Sequence, residues 1–322
     1  MAGSDTPLVP AAVRSDRPPG RRVPGGRAGG GRVRRLAGGD RVTVALMVAV
    51  PTALVLWLVW FPAVATVLLS FTRWNGIGGL GTITWVGTKN YTDVLTNYPP
   101  FEPAVQHNLL WLAVLFLVAT PFGMFLAVLL DKELVGGRFY QTAIYLPVVL
   151  SLALIGFIWQ LFYSQDQGLL NAALHTHVDW YGDPGINIWA VLVAAVWRHV
   201  GYIMLLYLAG LKGVDPSLRE AAAVDGASET RTFFQVVFPV LRPINIIVLV
   251  ITVIEALRAF DIVWVVNKGR NGLELISVLV TQNIVGEASR IGFGSALATI
   301  MLVISLVFIS LYLATVMRGE QR

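Results

Sequence analysis

The sequence contains no cysteine, which excludes a disulfide framework and thiolate metal sites. Charge is also scarce: Asp, Glu, Lys and Arg are 13% of the 322 residues, against 56% hydrophobic side chains. A soluble domain of this size cannot bury that much apolar surface, so the composition is that of a membrane protein. There is no Gly-x-x-x-x-Gly-Lys-[Ser/Thr] phosphate cradle, no pair of catalytic carboxylates and no Ser/His/Asp arrangement in a plausible context. The chain therefore reads as a non-enzyme without an ATPase motif of its own. Histidine is rare. His175 and His177 could chelate a metal only in an extended loop and lack a third ligand, so no metal site is expected; with His107 they read as solvated loop side chains.

The net charge of +5 would suit a nucleic-acid partner, but the surplus is local. Residues 1–40 hold eight Arg against three Asp, and the remainder is balanced, which argues against nucleic acid. This Arg-, Gly- and Pro-rich tail has no apolar periodicity and is expected to be disordered, with the membrane domain filling 41–322. Within that domain lie six apolar runs, near 42–71, 106–130, 141–163, 187–211, 240–266 and 291–317. Each reaches the roughly 20 helical residues needed to cross a bilayer, giving an all-α, six-span protein. Pro51, Pro62, Pro121 and Pro147 fall inside runs and are expected to kink the helices rather than end them. Counting Lys and Arg on the two sides gives seventeen against five. The positive-inside rule then puts both termini and the loop of about 212–239, between the fourth and fifth spans, in the cytoplasm. Trp180, Tyr181 and Trp189 fall at the opposite interface.

That loop is the polar exception in the chain. Asp215 suits a helix N-cap and Pro216 the first helical position. Asp225-Gly226 provides a residue that tolerates positive φ, Ser228 can cap a second helix, and Phe233, Phe234, Val237 and Phe238 repeat at helical spacing up to Pro239. Two readings stay open at this level. The hairpin could lie on lipid, or it could dock a partner through the small residues Ala221, Ala222 and Ala227, with Glu220, Asp225 and Arg231 at the rim.

Ionisable residues also interrupt the spans. Arg198 and His199 sit in the fourth; Glu255, Arg258 and Asp261 sit in the fifth at i, i+3 and i+6, on one expected helix face. Counted at 1.5 Å per residue, Arg198 lies about 15 Å and Glu255 about 17 Å from the same side, hence level in the middle of the membrane. Such groups must pair or face water. Either they lock the two spans together, or they line a translocation cavity with aromatics such as Trp197, Tyr202 and Phe260, a surface suited to sugars.

Glu220-Ala221-Ala222, Asp225-Gly226-Ala227, Phe234, Pro239 and Pro243, placed before the penultimate span, resemble the EAA loop of permease subunits in bacterial ABC importers. With the six spans the resemblance covers about residues 42–318. It is nearest the carbohydrate permeases of the maltose and glycerol-phosphate type, which Phe260-Asp261 and Trp264 also match. Where that group usually has Thr-x-Gly-Gly-Pro after the fifth span, this chain has Asn267-Lys268-Gly269-Arg270-Asn271-Gly272.

The resemblance implies a multi-pass subunit of the bacterial plasma membrane, paired with a second homologous permease in a heterodimer. It also implies two ATPase subunits that use ATP and Mg, an extracytoplasmic solute-binding protein and a carbohydrate substrate, with no cofactor bound by this chain. Glu220, Ala221, Ala222, Asp225, Gly226, Ala227, Arg231, Phe234 and Pro239 would form the ATPase-coupling segment. The rival readings are a polyol or glycerol-phosphate importer, an ion-coupled secondary transporter using the membrane charges as a relay, and an intramembrane enzyme built on His199 and Glu255.

Overall fold

The structure is a computed structural model and describes residues 38–320 apart from Gly78, Glu133, Glu287 and Ala288. Nearly all of the expected basic tail lies outside the described residues. The chain divides into two units, one ending at Leu56 and the other beginning at Trp57. The described part of the first is one apolar helix, α1 (Gly38–Val55), followed by Leu56, with Pro51 inside the helix and every described side chain from Arg41 onward exposed.

The second unit is helical but for one short hairpin. It runs α2 (Phe61–Leu69), the pair β1 (Thr72–Arg73) and β2 (Thr84–Trp85), α3 (Lys89–Thr96), α4 (Phe101–Val114), α5 (Thr120–Asp131), α6 (Gly137–Val149), α7 (Leu152–Phe162) and α8 (Leu169–Leu174). Then come α9 (Asn187–Lys212), α10 (Pro216–Val224), α11 (Glu229–Thr232), α12 (Phe238–Val240), α13 (Arg242–Leu257), α14 (Asp261–Asn267), α15 (Ile276–Ile284) and α16 (Ile291–Glu320). Among the described residues four helices are long and apolar enough to cross a membrane: Arg41–Leu69, Phe101–Asp131, Asn187–Lys212 and Ile291–Tyr312. Two bent pairs bring the total to as many as six: Gly137–Val149 with Leu152–Phe162, bent by 103°, and Glu229–Val240 with Arg242–Asn267, bent by 75°.

The third and fifth runs are therefore not the simple helices the apolar pattern suggests. In the third, the helix continues two residues past Pro147, turns extended at Leu150, and restarts where the Ser151 hydroxyl accepts the Leu154 amide. Pro51 sits inside α1 with no break before it, while Pro62, Pro121 and Pro239 act in a different way. Five-residue π turns at Leu56–Trp60, Leu115–Ala119 and Phe233–Val237 each end two residues before a proline: Pro62, Pro121 and Pro239. A proline ring removes one backbone donor and crowds the carbonyl four residues back; widening the preceding turn moves that carbonyl aside without breaking the helix.

Helix α9 is central, with fifteen of its residues buried. Neighbouring helices approach it closely because glycines stand at the crossings. A Cβ on Gly123 of α5 would lie 2.8 Å from Ile203 Cβ, and one on Gly201 would lie 2.3 Å from the Ile144 carbonyl oxygen of α6. Packing without side-chain bulk replaces the hydrophobic drive that lipid does not supply. One apolar cluster joins Ala127, Ile203, Tyr207, Leu211, Val214, Val237 and Leu241, tying the end of α9 to the segment that follows it.

Candidate functional site

The segment Asp215–Val240 folds largely through contacts among its own residues. The Asp215 carboxylate accepts the Ser217 amide at 2.9 Å, and that bond holds the carboxyl below its ordinary range. After α10 the Gly226 amide bonds the Ala223 carbonyl and the Ala227 amide bonds the Ala222 carbonyl, the paired bonds of a Schellman C-cap. Gly226 takes the left-handed conformation this cap requires, φ +75°, and a Cβ there would meet nothing within 4 Å. The strain of a larger residue would be in its backbone, while its bulk would project into open space. Ser228 caps α11 by accepting the Arg231 amide, and Arg231 Nε donates to Gln235 at 2.9 Å.

Glu220, Ala221, Asp225, Gly226, Arg231, Phe234 and Pro239 are all exposed. Phe234 is 57% exposed, and Val224, not singled out from the sequence, is 89% exposed; with Leu218 and Val240 also exposed, the surface carries apolar projections among its charges, of which these two stand out furthest. Ala222 corrects the expected small-residue face: it is buried within the chain and seats α10, while Ala227 is half-buried. The run also passes through Pro239 to Val240, aided by the π turn, and breaks at Leu241.

The membrane charges form a second centre. Arg198 Nη1 meets Glu255 Oε2 at 3.3 Å, and the buried His199 ring bonds the Thr252 hydroxyl at 3.1 Å. The expected stack of Glu255, Arg258 and Asp261 on one helical face is not what forms. Helix α13 ends at Leu257, Arg258 is its C-cap, Phe260 has φ −147° and ψ −58°, and Asp261 begins α14. Even so, Arg198, His199, Glu255, Arg258, Phe260 and Asp261 all line one small cavity, closed by Trp111, Leu115 and Leu152. Its volume of about 40 Å³ holds water but not a sugar ring. Trp197 stands edge-on to Trp159, and Phe260 stacks on Trp264.

The break in the fifth span is held by residues the sequence reading passed over. Asn108, buried in α4, donates to the Ala256 carbonyl at 3.1 Å and accepts the Ile276 amide at 3.0 Å, so one side chain pins the end of α13 to the start of α15. The Ser277 hydroxyl donates to the Ala259 carbonyl. An Asn inside an apolar run was the available signal. His107 is likewise not a solvated loop residue: it lies half-buried in α4, 2.9 Å from the Glu274 carbonyl. Asp131 was also missed; its carboxylate receives Arg219 at 2.8 Å and Lys212 at 3.1 Å. The departing turn after the fifth span keeps its tight geometry, with Lys268, Gly269, Asn271 and Gly272 at positive φ and Asn267 bonded to the Gly269 and Arg270 amides. Among the described residues no group of three or more His, Asp or Glu could hold a metal.

A family profile described as binding-protein-dependent transport system inner membrane component matches residues 119–318. The chain belongs to this family. It is a multi-pass membrane permease and not an enzyme. Among its relatives, the xylose/arabinose import permease protein XacH of Haloferax volcanii is 32% identical over 255 residues, covering 76% of this chain and 78% of that protein. A probable ABC transporter permease, PH1215 of Pyrococcus horikoshii, is 29% identical over 271 residues, covering 82% and 92%. The permease also shares the fold of a chain in the crystal structure of a bacterial ABC transporter that imports the acidic polysaccharide alginate, with a TM-score of 0.74 at 19% identity, over 87% of this chain and 96% of that one.

Proposed function

We propose that this permease forms half of the translocation path of an ATP-driven carbohydrate importer, and that Asp215–Val240 is the cytoplasmic surface on which an ATPase subunit docks. The observation that carries this reading is the prefolded exposed segment, with Val224 and Phe234 standing out between Glu220, Asp225 and Arg231, in a family member that lacks a phosphate cradle of its own. Apolar anchors within a charged rim suit a protein partner better than a lipid surface, which would leave those charges unpaired. The second permease chain, the second ATPase subunit and the extracytoplasmic solute-binding protein complete the assembly.

The cavity around Arg198 and Glu255 supplies the permease half of the sugar path. Its charged and aromatic lining suits hydroxyls and C–H faces, and at about 40 Å³ it must widen during the ATPase cycle to pass a sugar. The relative's xylose/arabinose specificity supports a pentose or related saccharide as cargo. The test is purification from membranes: the chain should come with an ATP-hydrolysing subunit, and proteoliposomes of the complex should take up sugar only with ATP. Transport without that subunit would overturn the reading in favour of an ion-coupled carrier.

A further inference from the structure

Two consecutive residues at the end of α5 grip both halves of the docking segment. The Asp131 carboxylate, 8% exposed, holds Arg219 of α10 and, from the other side, Lys212 at the end of α9. Next to it, Lys132 donates to Glu229 of α11. The chain connections on either side of the segment are by contrast interrupted: α9 ends at Lys212 with Gly213 as its C-cap, and a 75° bend at Leu241 separates the segment from α13. The apolar packing of Val214, Val237 and Leu241 against α9 holds the base of the segment, but α10 and α11, which carry its exposed face, reach α5 through these polar contacts. Helix α5 offers a stiff path, since Gly123 lets it lie directly against α9 at Ile203, about one and a half turns from Arg198.

We propose that Asp131 and Lys132 act as a positioning clasp that makes the docking segment and the α5–α9 pair move as one body, so that the ATPase cycle reaches the charge layer through α5. The proposal rests on the docking reading above and adds the route by which motion enters the membrane. The two arms are unequal. The buried Asp131 carboxylate is the shared negative charge of two cations, and its loss leaves Lys212 only the Asp131 backbone carbonyl and Arg219 at most a neutral acceptor; the Lys132–Glu229 arm is exposed and screened by solvent.

The test uses the complete complex in lipid nanodiscs and compares ATP hydrolysis with and without the cognate solute-binding protein as purified from its host. A signal from that protein must cross the membrane to reach the ATPase. Asp131→Asn should keep the ATPase subunit bound and basal hydrolysis within about twofold. Stimulation by the binding protein should fall by about tenfold, within the roughly 5–150-fold range of coupling between distant sites. Asp131→Glu should recover part of it. Lys132→Glu should lose a smaller part, and the exchanged pair Lys132→Glu/Glu229→Lys should regain it.

Full stimulation in Asp131→Asn overturns the clasp, as does a loss that the exchanged pair does not repair. Loss of the ATPase subunit from Asp131→Asn also overturns it, because the residue would then serve docking rather than transmission. A wild-type complex that hydrolyses ATP without response to the binding protein removes the signal the clasp is argued to carry. A wild-type chain that purifies with no ATPase subunit is a separate failure, that of the docking reading.

Discussion

The docking segment and the break in the fifth span are both places where helices stop, yet they are held in opposite ways. At the docking segment the stops are local: Asp215 reaches Ser217, Gly226 reaches Ala223, and Ser228 reaches Arg231. At the break, Asn108 reaches residues 148 and 168 positions away, and the Arg198–Glu255 and His199–Thr252 contacts join separate spans. The segment is exposed and can fold on its own caps before any partner arrives. Ala256 and Asn108 at the break are buried, so the carbonyl and amide freed there are satisfied by a side chain from another helix. One region is held by caps within a few residues; the other is held by groups from distant parts of the chain.

The largest effect expected from this contrast is at Gly226. Gly226→Asp should insert normally but lose the ATPase subunit and essentially all uptake, because the added carboxylate projects from the exposed turn toward the docked partner. Copurification and uptake measured together check this; normal coupled uptake would remove the docking role. Asn108→Leu should do the reverse. It leaves two buried backbone groups without partners, for a loss of about 2–4 kcal/mol seen as a lowered unfolding midpoint, with ATPase binding retained where folded protein survives. An unchanged midpoint would show that the break needs no staple.

Glu255→Gln is expected to be milder. The amide can still accept from Arg198, so folded yield should hold within about twofold while transport affinity or sugar preference shifts by several-fold, on the order of 1 kcal/mol. A fall in yield alone would assign the pair to locking the spans. The smallest effect concerns pH. The Lys132 contact depresses the Glu229 carboxyl below its ordinary range. Its contribution is present above the unfolded carboxylate pKa and disappears only as pH falls through the lower folded value. Amide exchange in α11 should therefore be flat from about pH 7 to 5, after correction for intrinsic rates, and rise only in stronger acid. A rise between pH 7 and 5 would mean that the contact does not hold the helix.

The same division governs what could be read from the chain before its structure. Apolar run length, caps and the glycine turn at 226 depend on residues adjacent in sequence, so four of the spans and the shape of the 215–240 hairpin were legible. So was the level of Arg198 and Glu255, because helix rise is constant and both counts start from the same side. The expected face joining Glu255, Arg258 and Asp261 failed for the opposite reason. It assumed an unbroken helix, whereas Asn108 and Ser277 supply bonds that let the helix stop at Leu257. Prolines were visible, but whether each becomes a π turn or lies near a 103° bend was not, since the choice depends on which neighbours can fill the widened or broken turn.

By itself, then, the sequence determined an all-helical membrane chain with six apolar runs and one capped polar hairpin, because periodicity, run length and capping are properties of short stretches. Tertiary structure alone decided which charges meet, where the third and fifth spans break, and that Asp131 and Lys132 hold the hairpin to α5. Those contacts join groups far apart in the chain, and in a low-dielectric interior the position of a polar group is set by the partner that satisfies it.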